Sequence, residues 1–516
     1  MKELKKLFLF CLISCCFLSF VKGQSHYYFN QISVSEGLSQ STVYCTFFDS
    51  KGFLWIGTKS GLNRYDSYQL RTYRNNISKE PVLPSNVINY ITEDGDSNLW
   101  VATEFGLSKY DYVQDAFTEV LFKDKPLRIY DSEILNDGVL FGGVNGLYWY
   151  DYLSKEMSPF KPTAGEDGVP QDGISSILRW SDHLYVIGTR YDGGWLLNLS
   201  TKEIRRFDFC SFHSIQTYYV DMDGILWVSP YGKGVIGYSK NGEELYRFNT
   251  SNSDLSNDVI LDIIDRDGEI WFATDGGGIS IWNKKTRDFS QISHVPGDDS
   301  SLPVNSIISL YKDAENQIWA GSVRGGLIGI REVFMRNYKD VTPNSPYGLT
   351  EKSVLSLYED YDKRVWIGTD GGGINCLDPL IHEFRHFQST LSQKVVSLSG
   401  YDKDHILYSV FSKGLYLLNK KTGGVEPFLP FSEEEHQQIF NTGFAVNIEM
   451  NGKDSLFLFA RDLFFYDLKT RKLKNLNTKD LSINLPSRKV IRSKHNPVYY
   501  MANLHNIFSI NVYTHE

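Results

Sequence analysis

Leu54-Trp55-Ile56-Gly57-Thr58 returns in one register as Leu99-Trp100-Val101-Ala102-Thr103, Leu226-Trp227-Val228-Ser229, Ile270-Trp271-Phe272-Ala273-Thr274, Ile318-Trp319-Ala320-Gly321-Ser322 and Val365-Trp366-Ile367-Gly368-Thr369. The steps between the Trp residues are 45 (55 to 100), 44 (227 to 271), 48 (271 to 319) and 47 (319 to 366). The longer gap from Trp100 to Trp227 holds two units without the Trp, at Val139-Leu140-Phe141-Gly142-Gly143 and Leu184-Tyr185-Val186-Ile187-Gly188-Thr189. Weaker copies follow at Ile406-Leu407-Tyr408, Ser455-Leu456-Phe457-Leu458 and Pro497-Val498-Tyr499-Tyr500, so the chain of 516 residues carries eleven units.

Each unit reads as four short strands. In residues 302–338, the runs Ile307-Ile308-Ser309-Leu310-Tyr311, Ile318-Trp319-Ala320 and Leu327-Ile328-Gly329-Ile330 are separated by Asp313-Ala314-Glu315-Asn316 and Arg324-Gly325-Gly326, and Phe334 to Tyr338 ends the unit. β-branched and aromatic runs broken by Asp, Asn and Gly are strands joined by tight turns. No sustained helical periodicity follows residue 23. Four strands in a period of 40 to 50 residues predict an all-β fold, the β-propeller, in which the recurring Trp (Trp55, Trp100, Trp227, Trp271, Trp319, Trp366) fills the space between neighbouring blades. Seven units make one complete seven-bladed propeller over residues 24–333. Four more make an incomplete second propeller of about four blades over 334–516. Phe29-Asn30-Gln31-Ile32-Ser33 is similar to Phe289-Ser290-Gln291-Ile292-Ser293, which ends its unit. The chain therefore begins on an outer strand, which would complete the last blade and hide two sheet edges.

The combination Leu-Pro-x-Asn, an acidic turn, Leu-Trp-Ile-Gly-Thr and a Gly-Gly pair resembles the two-component-regulator propeller repeat, strongly over residues 28–378 and weakly over 379–511. The resemblance implies the periplasmic sensor region of a hybrid two-component system histidine kinase, truncated, with oligosaccharides from complex glycans as ligand and transcription as output. No kinase motif, second apolar span or DNA-binding helix pair is read before Glu516. The resemblance thus implies the sensing half and no enzymatic activity for this chain.

Charge and the first residues agree with that setting. The 53 basic and 62 acidic residues give a net charge of −9, without the positive field that nucleic-acid binding needs. Lys2, Lys5 and Lys6 precede an apolar run from Leu7 to Val21, and Lys22-Gly23 turns polar, the layout of a secretory signal peptide over residues 1–23. The run is short for a membrane span, so none is expected apart from the signal peptide, and the protein is expected to be periplasmic or secreted. Leu12-Ile13-Ser14-Cys15 offers a lipoprotein anchor at Cys15 as the lesser alternative. Beyond residue 23 only Cys45, Cys210 and Cys376 remain, an odd number at spacings that fit neither a disulfide framework nor zinc. They are expected as buried strand cysteines.

Chemistry is sought in the loops between second and third strands, which share one face with the loops leading into the innermost strands. Asp221-Met222-Asp223-Gly224 and Asp265-Arg266-Asp267-Gly268 begin like calcium loops but lack the later ligands and read as hairpin turns; Gly-rich stretches such as Asp275-Gly276-Gly277-Gly278 lack the Lys-Ser/Thr of a phosphate loop. No catalytic residue, metal or cofactor is expected. Sugars call for flat rings and planar polar groups, and Arg190, Tyr191, Asp192 and Trp195 supply both within six residues. Tyr231, Lys233 and Arg324 join them from later units as the candidate ligand-binding set. A protein-interaction platform and a glycan-active hydrolase or lyase are the competing readings. A homodimer or a partner chain is expected to use the incomplete second propeller.

Overall fold

The computed structural model describes residues 26–75, 83–164, 169–170, 172–207, 214–333, 338, 345–441, 445–476, 489–493, 498–502 and 507–511. They are all-β and propeller-like: antiparallel sheets, most of four strands, succeed one another along the chain. The chain divides into two compact units, Met1–Val295 with Asp299–Arg336, and Pro296–Asp298 with Asn337–Glu516.

The first unit holds seven sheets, at residues 43–73 (sheet 1), 88–126 (sheet 2), 129–160 (sheet 3), 163–206 (sheet 4), 215–248 (sheet 5), 260–292 (sheet 6) and 307–333 (sheet 7). In sheet 1 the strands run outward as Val43–Phe48, Leu54–Thr58, Gly61–Tyr65 and Leu70–Tyr73. The Trp strand is buried at all five positions while the outermost strand is largely exposed. A strand covered on both faces by neighbouring sheets reads as a continuous apolar run, which is why Leu-Trp-Ile-Gly-Thr carries no alternation. The innermost strand of each sheet lies beside that of the next, and Ile307–Lys312 lies beside Val43–Phe48, so the succession closes on itself. The fourth strand of sheet 7 is His26–Ile32, antiparallel to Leu327–Val333 with Phe29 opposite Ile330 and Ile32 opposite Leu327. This is the closure that the likeness of residues 29–33 to 289–293 predicts.

The second unit holds sheets at residues 354–386 (sheet 8), 395–428 (sheet 9), 447–475 (sheet 10) and 489–511 (sheet 11, three strands). Its first innermost strand, Val354–Glu359, leaves Val354, Leu355 and Leu357 exposed, Leu357 at 65%. The corresponding positions Val43 and Thr46 of sheet 1 are buried.

Several features depart from the expectation. Lys125–Pro126 adds a fifth strand to sheet 2, and Thr163–Ala164 adds one to sheet 4, parallel to Glu203–Arg206. Between sheets 9 and 10 lies an eight-residue helix, Glu433–Phe440, too short to show helical periodicity; its signal is the capping box, in which Ser432 Oγ accepts from Glu435 N at 3.3 Å and Glu435 Oε2 accepts from Ser432 N at 2.8 Å. Residues 1–23, with Cys15, and Cys210 lie outside the described residues. Cys45 and Cys376 sit in strands as free thiols, and burial pushes both up to about 12, which makes them poor nucleophiles.

Candidate functional site

The recurring Trp is held as well as buried. Its indole N–H donates to the carboxylate six residues earlier in five copies: Trp55 to Asp49 (2.7 Å), Trp100 to Asp94 (2.9 Å), Trp227 to Asp221 (3.0 Å), Trp319 to Asp313 (2.9 Å) and Trp366 to Asp360 (2.8 Å). The other carboxylate oxygen caps the hairpin turn; that of Asp221 accepts from Asp223 N and Ile225 N at 3.0 and 2.9 Å. One side chain thus fixes both the turn and the ring. Sheet 6 departs, because its turn is tighter: Trp271 donates to Glu269 at 3.3 Å, and Asp265 instead accepts from Tyr219 and from Met222 N of sheet 5. Among the described residues no three His, Cys, Asp or Glu gather in a metal-holding group.

At the opposite end of the sheets the loops are laced together. Gly61 N donates to Asn86 O, Gly234 N to Asp258 O, Gly278 N to Asn305 O and Gly326 N to Ser41 O, each joining a second-to-third-strand loop to the residues leading into the next sheet's innermost strand. Within a sheet, Lys59 N bonds Thr42 O, Glu104 N bonds Val87 O, Tyr231 N bonds Ser214 O and Val323 N bonds Ser306 O. Glycine is required at the lacing point: Gly278 has φ +76°, and a Cβ there would lie 2.2 Å from Ile292 O.

A second feature of this face is not legible as a motif. Every innermost strand of the first unit carries a β-bulge at its second residue, as between Val43 and Cys45, Ile129 and Asp131, and Ile215 and Thr217. The residues left unpaired are Tyr44, Asn89, Tyr130, Ser175, Gln216, Leu261 and Ile308, none of them fully buried. Bulges re-aim side chains, so two tyrosines and two amides stand where the innermost strands meet the loop face.

The residue after two of these bulges is an acid that ties sheet to sheet. Asp131 accepts from Ile177 N of sheet 4 at 2.8 Å and Asp262 from Leu310 N of sheet 7 at 2.7 Å, while each also caps the amide of its own next residue. Burial pushes both carboxyls up to about 6 despite those donors. Glu133, on the same strand as Asp131, is pushed up to about 7 by burial and by the charge of Asp131.

The expected ligand residues divide. Arg190 is exposed and its carbonyl accepts from Ile215 N, whose neighbour Ser214 accepts from Tyr231 N, so the loops of sheets 4 and 5 are two backbone bonds apart. Tyr191 and Tyr231 are 60% and 59% exposed, and Lys233 lies on the same loop as Tyr231, also exposed. Arg324 is exposed on the loop of sheet 7, in the left-handed region at φ +68°, and is separated from this group by sheet 6. Asp192 is half-buried and its carboxylate takes Arg206 at 2.6 Å.

Trp195 requires a correction. It lies not in the loop but in the strand Gly194–Asn198, 1% exposed, packed among Leu140, Ile174, Tyr185 and Ile187 with the Arg206 guanidinium 4.9 Å over its ring. It cannot stack on a ligand, because its ring fills the space between sheets. Another exposed ring of this face is Phe105, with the Arg128 guanidinium 5.4 Å over it.

Comparison with known proteins agrees with the repeat. The two component regulator propeller model matches residues 37–60, 82–105, 301–324 and 348–371, so the chain carries these repeats. A 65-residue stretch is 38% identical to histidine kinase P4 of Formosa agariphila, covering 13% of this chain and 5% of that protein. The chain thus accounts for a small part of the length of that relative. Among solved structures, the extracellular domain of a hybrid two component system from B. thetaiotaomicron matches with a TM-score of 0.59 at 18% identity, over 94% of this chain and 71% of that one. A further extracellular domain of a hybrid two component system from the same organism reaches 0.49 at 18% identity, over 95% and 72%. The first likeness supports the propeller-like fold.

Proposed function

We propose that this chain is the ligand-binding sensor region of a hybrid two-component system, located in the periplasm or secreted after loss of residues 1–23, and that it recognises an oligosaccharide without transforming it. In this reading residues 24–333 form one complete seven-bladed propeller and residues 334–516 part of a second. The observation that carries the ligand site is the pair of laced loops bearing Arg190, Tyr191, Tyr231 and Lys233: two exposed rings and two cations on a face whose backbone is already fixed. A preformed site loses little ordering entropy on binding, and rings with cations suit pyranose faces and acidic groups.

Calorimetry against neutral and acidic oligosaccharides tests it. Tyr231→Ala removes a stacking contact of about 0.5–1.5 kcal/mol and is expected to weaken binding by up to about tenfold. Arg190→Ala removes a charge-assisted bond of about 1.5–3 kcal/mol, a loss of tenfold to about a hundredfold. Both variants binding as the parent does, while folded, would place the ligand elsewhere.

A partner is the second part of the proposal. The exposed Val354, Leu355 and Leu357 face supports association of the partial propeller with a second copy or another chain. Sedimentation should show self-association that Leu357→Lys weakens; a monomer at every concentration would contradict the homodimer.

A further inference from the structure

The Trp that fills the space between sheets is missing at two places, and the molecule treats them differently. Strand register puts Leu140 of sheet 3 and Val186 of sheet 4 where sheet 1 has Trp55. Between sheets 4 and 5 another ring takes over: Trp180, 5% exposed, packs against Ile215, Tyr218 and Leu226 and donates its indole N–H to Gly224 O at 2.8 Å. Between sheets 3 and 4 a cleft of about 570 Å³ remains. It opens at the end of the sheets away from the laced loops, since the turns at Asn136-Asp137 and Asp182-His183, which join first to second strands, form part of its rim.

Its lining is chemically specific. Trp149 and Phe160 of sheet 3 are half-buried and Tyr185 of sheet 4 is buried, so aromatic rings line the cleft from both sheets. Lys161, Arg179 and Lys202 are exposed at the opening, with the Lys202 ammonium 5.8 Å from the Phe160 ring centre. Asp137 and Asp182 are the acids of the lining, and Asp182 is held by Arg179 at 3.2 Å in an exposed pair that an incoming anion can replace. The volume falls in the range of sites for small ligands, a few hundred to a thousand Å³.

We propose that the cleft between sheets 3 and 4 is a second ligand site, independent of the loop face, for a small anionic sugar: a uronic acid residue whose ring lies against the aromatic lining while its carboxylate meets Arg179 and the flanking lysines.

The test uses the purified chain and galacturonic acid disaccharide, with maltose and benzoate as controls, read by calorimetry. The disaccharide is expected to bind and the controls are not. Arg179→Ala should weaken binding by about tenfold to a hundredfold, the loss of one charge-assisted pair. Trp149→Ala, which removes a ring of the lining, should weaken it as well. Arg179→Ala keeps the test decisive if Trp149→Ala does not fold, because Arg179 is exposed. No binding of the disaccharide, equal binding of maltose, binding of benzoate alone, or an unaltered affinity in Arg179→Ala would each overturn the proposal. Failure of the loop-face site shows in Arg190→Ala and Tyr231→Ala instead.

Discussion

Trp227→Ala is expected to lower stability by about 3–5 kcal/mol, the range for truncating a large buried ring. Trp227 is fully buried, stacked on Tyr246 at 5.6 Å and edge-on to Phe272 and Trp282 at 5.8 and 5.7 Å, so its removal leaves a cavity at the packing surface between sheets 5 and 6. Asp221→Ala is expected to cost about 2–4 kcal/mol, because it leaves a buried indole N–H unpaired and uncaps two turn amides. It also removes one of the two carboxylates that hold Lys284, whose ammonium lies 3.0 Å from Asp221 and 2.5 Å from Asp223. Asp265→Ala serves as the contrast, since Asp265 does not hold a Trp: it should not disturb the emission of Trp271, whereas Asp221→Ala should shift that of Trp227. Urea unfolding with fluorescence reads both quantities. A loss below about 1 kcal/mol in Trp227→Ala would mean that the recurring Trp does not join the sheets.

Deleting residues 26–32 should have the other large effect. Seven ladder positions pair this strand with Leu327–Val333. Ile32 is 4% exposed against Leu38, Val43 and Trp319, and Tyr27 sits edge-on to Trp271 at 5.7 Å. Burying such side chains contributes about 1.5–3 kcal/mol each when complete, and the strand's loss also uncovers a flat edge able to pair with other chains. The truncated protein is expected to melt at least 10 °C lower or to aggregate, and a peptide of residues 26–33 added in trans should recover part of the loss. Melting within a degree or two of the parent would show that the ring does not depend on this closure.

These two features mark how far the sequence could be read. The Trp strands are legible because a strand covered on both faces must be apolar throughout, and a ring of that size recurs only where the same gap recurs. The closing strand is legible because Phe29 to Ser33 copies an outer strand found elsewhere in the chain. The same double coverage hides the site. Without alternation, nothing in Gly194-Trp195-Leu196-Leu197-Asn198 says that Trp195 is the first inward position of a central strand rather than the last residue of a loop, and the structure buries it. Asp192 looks available in sequence, but its partner Arg206 lies one strand away, on the outer strand of the same sheet. The bulges at Tyr44, Asn89 and Gln216 depend on register between strands, which a single strand does not encode. The six-residue Asp-to-Trp spacing recurs at all six Trp strands, but a turn Asp explains itself locally and does not announce a distant partner, and the bond forms at only five of the six.

Tyr191, Tyr231, Arg190 and Lys233 remain as the exposed group on the fixed loop face, and their proposed work is recognition without turnover. The most direct measurement is titration of the purified chain with a panel of defined neutral and acidic oligosaccharides, with chromatographic analysis of each mixture after prolonged incubation. Saturable binding of at least one oligosaccharide is expected, weakened by Arg190→Ala and Tyr231→Ala, with every sugar recovered intact. Release of shortened or unsaturated products, or the absence of binding across the whole panel, would contradict it.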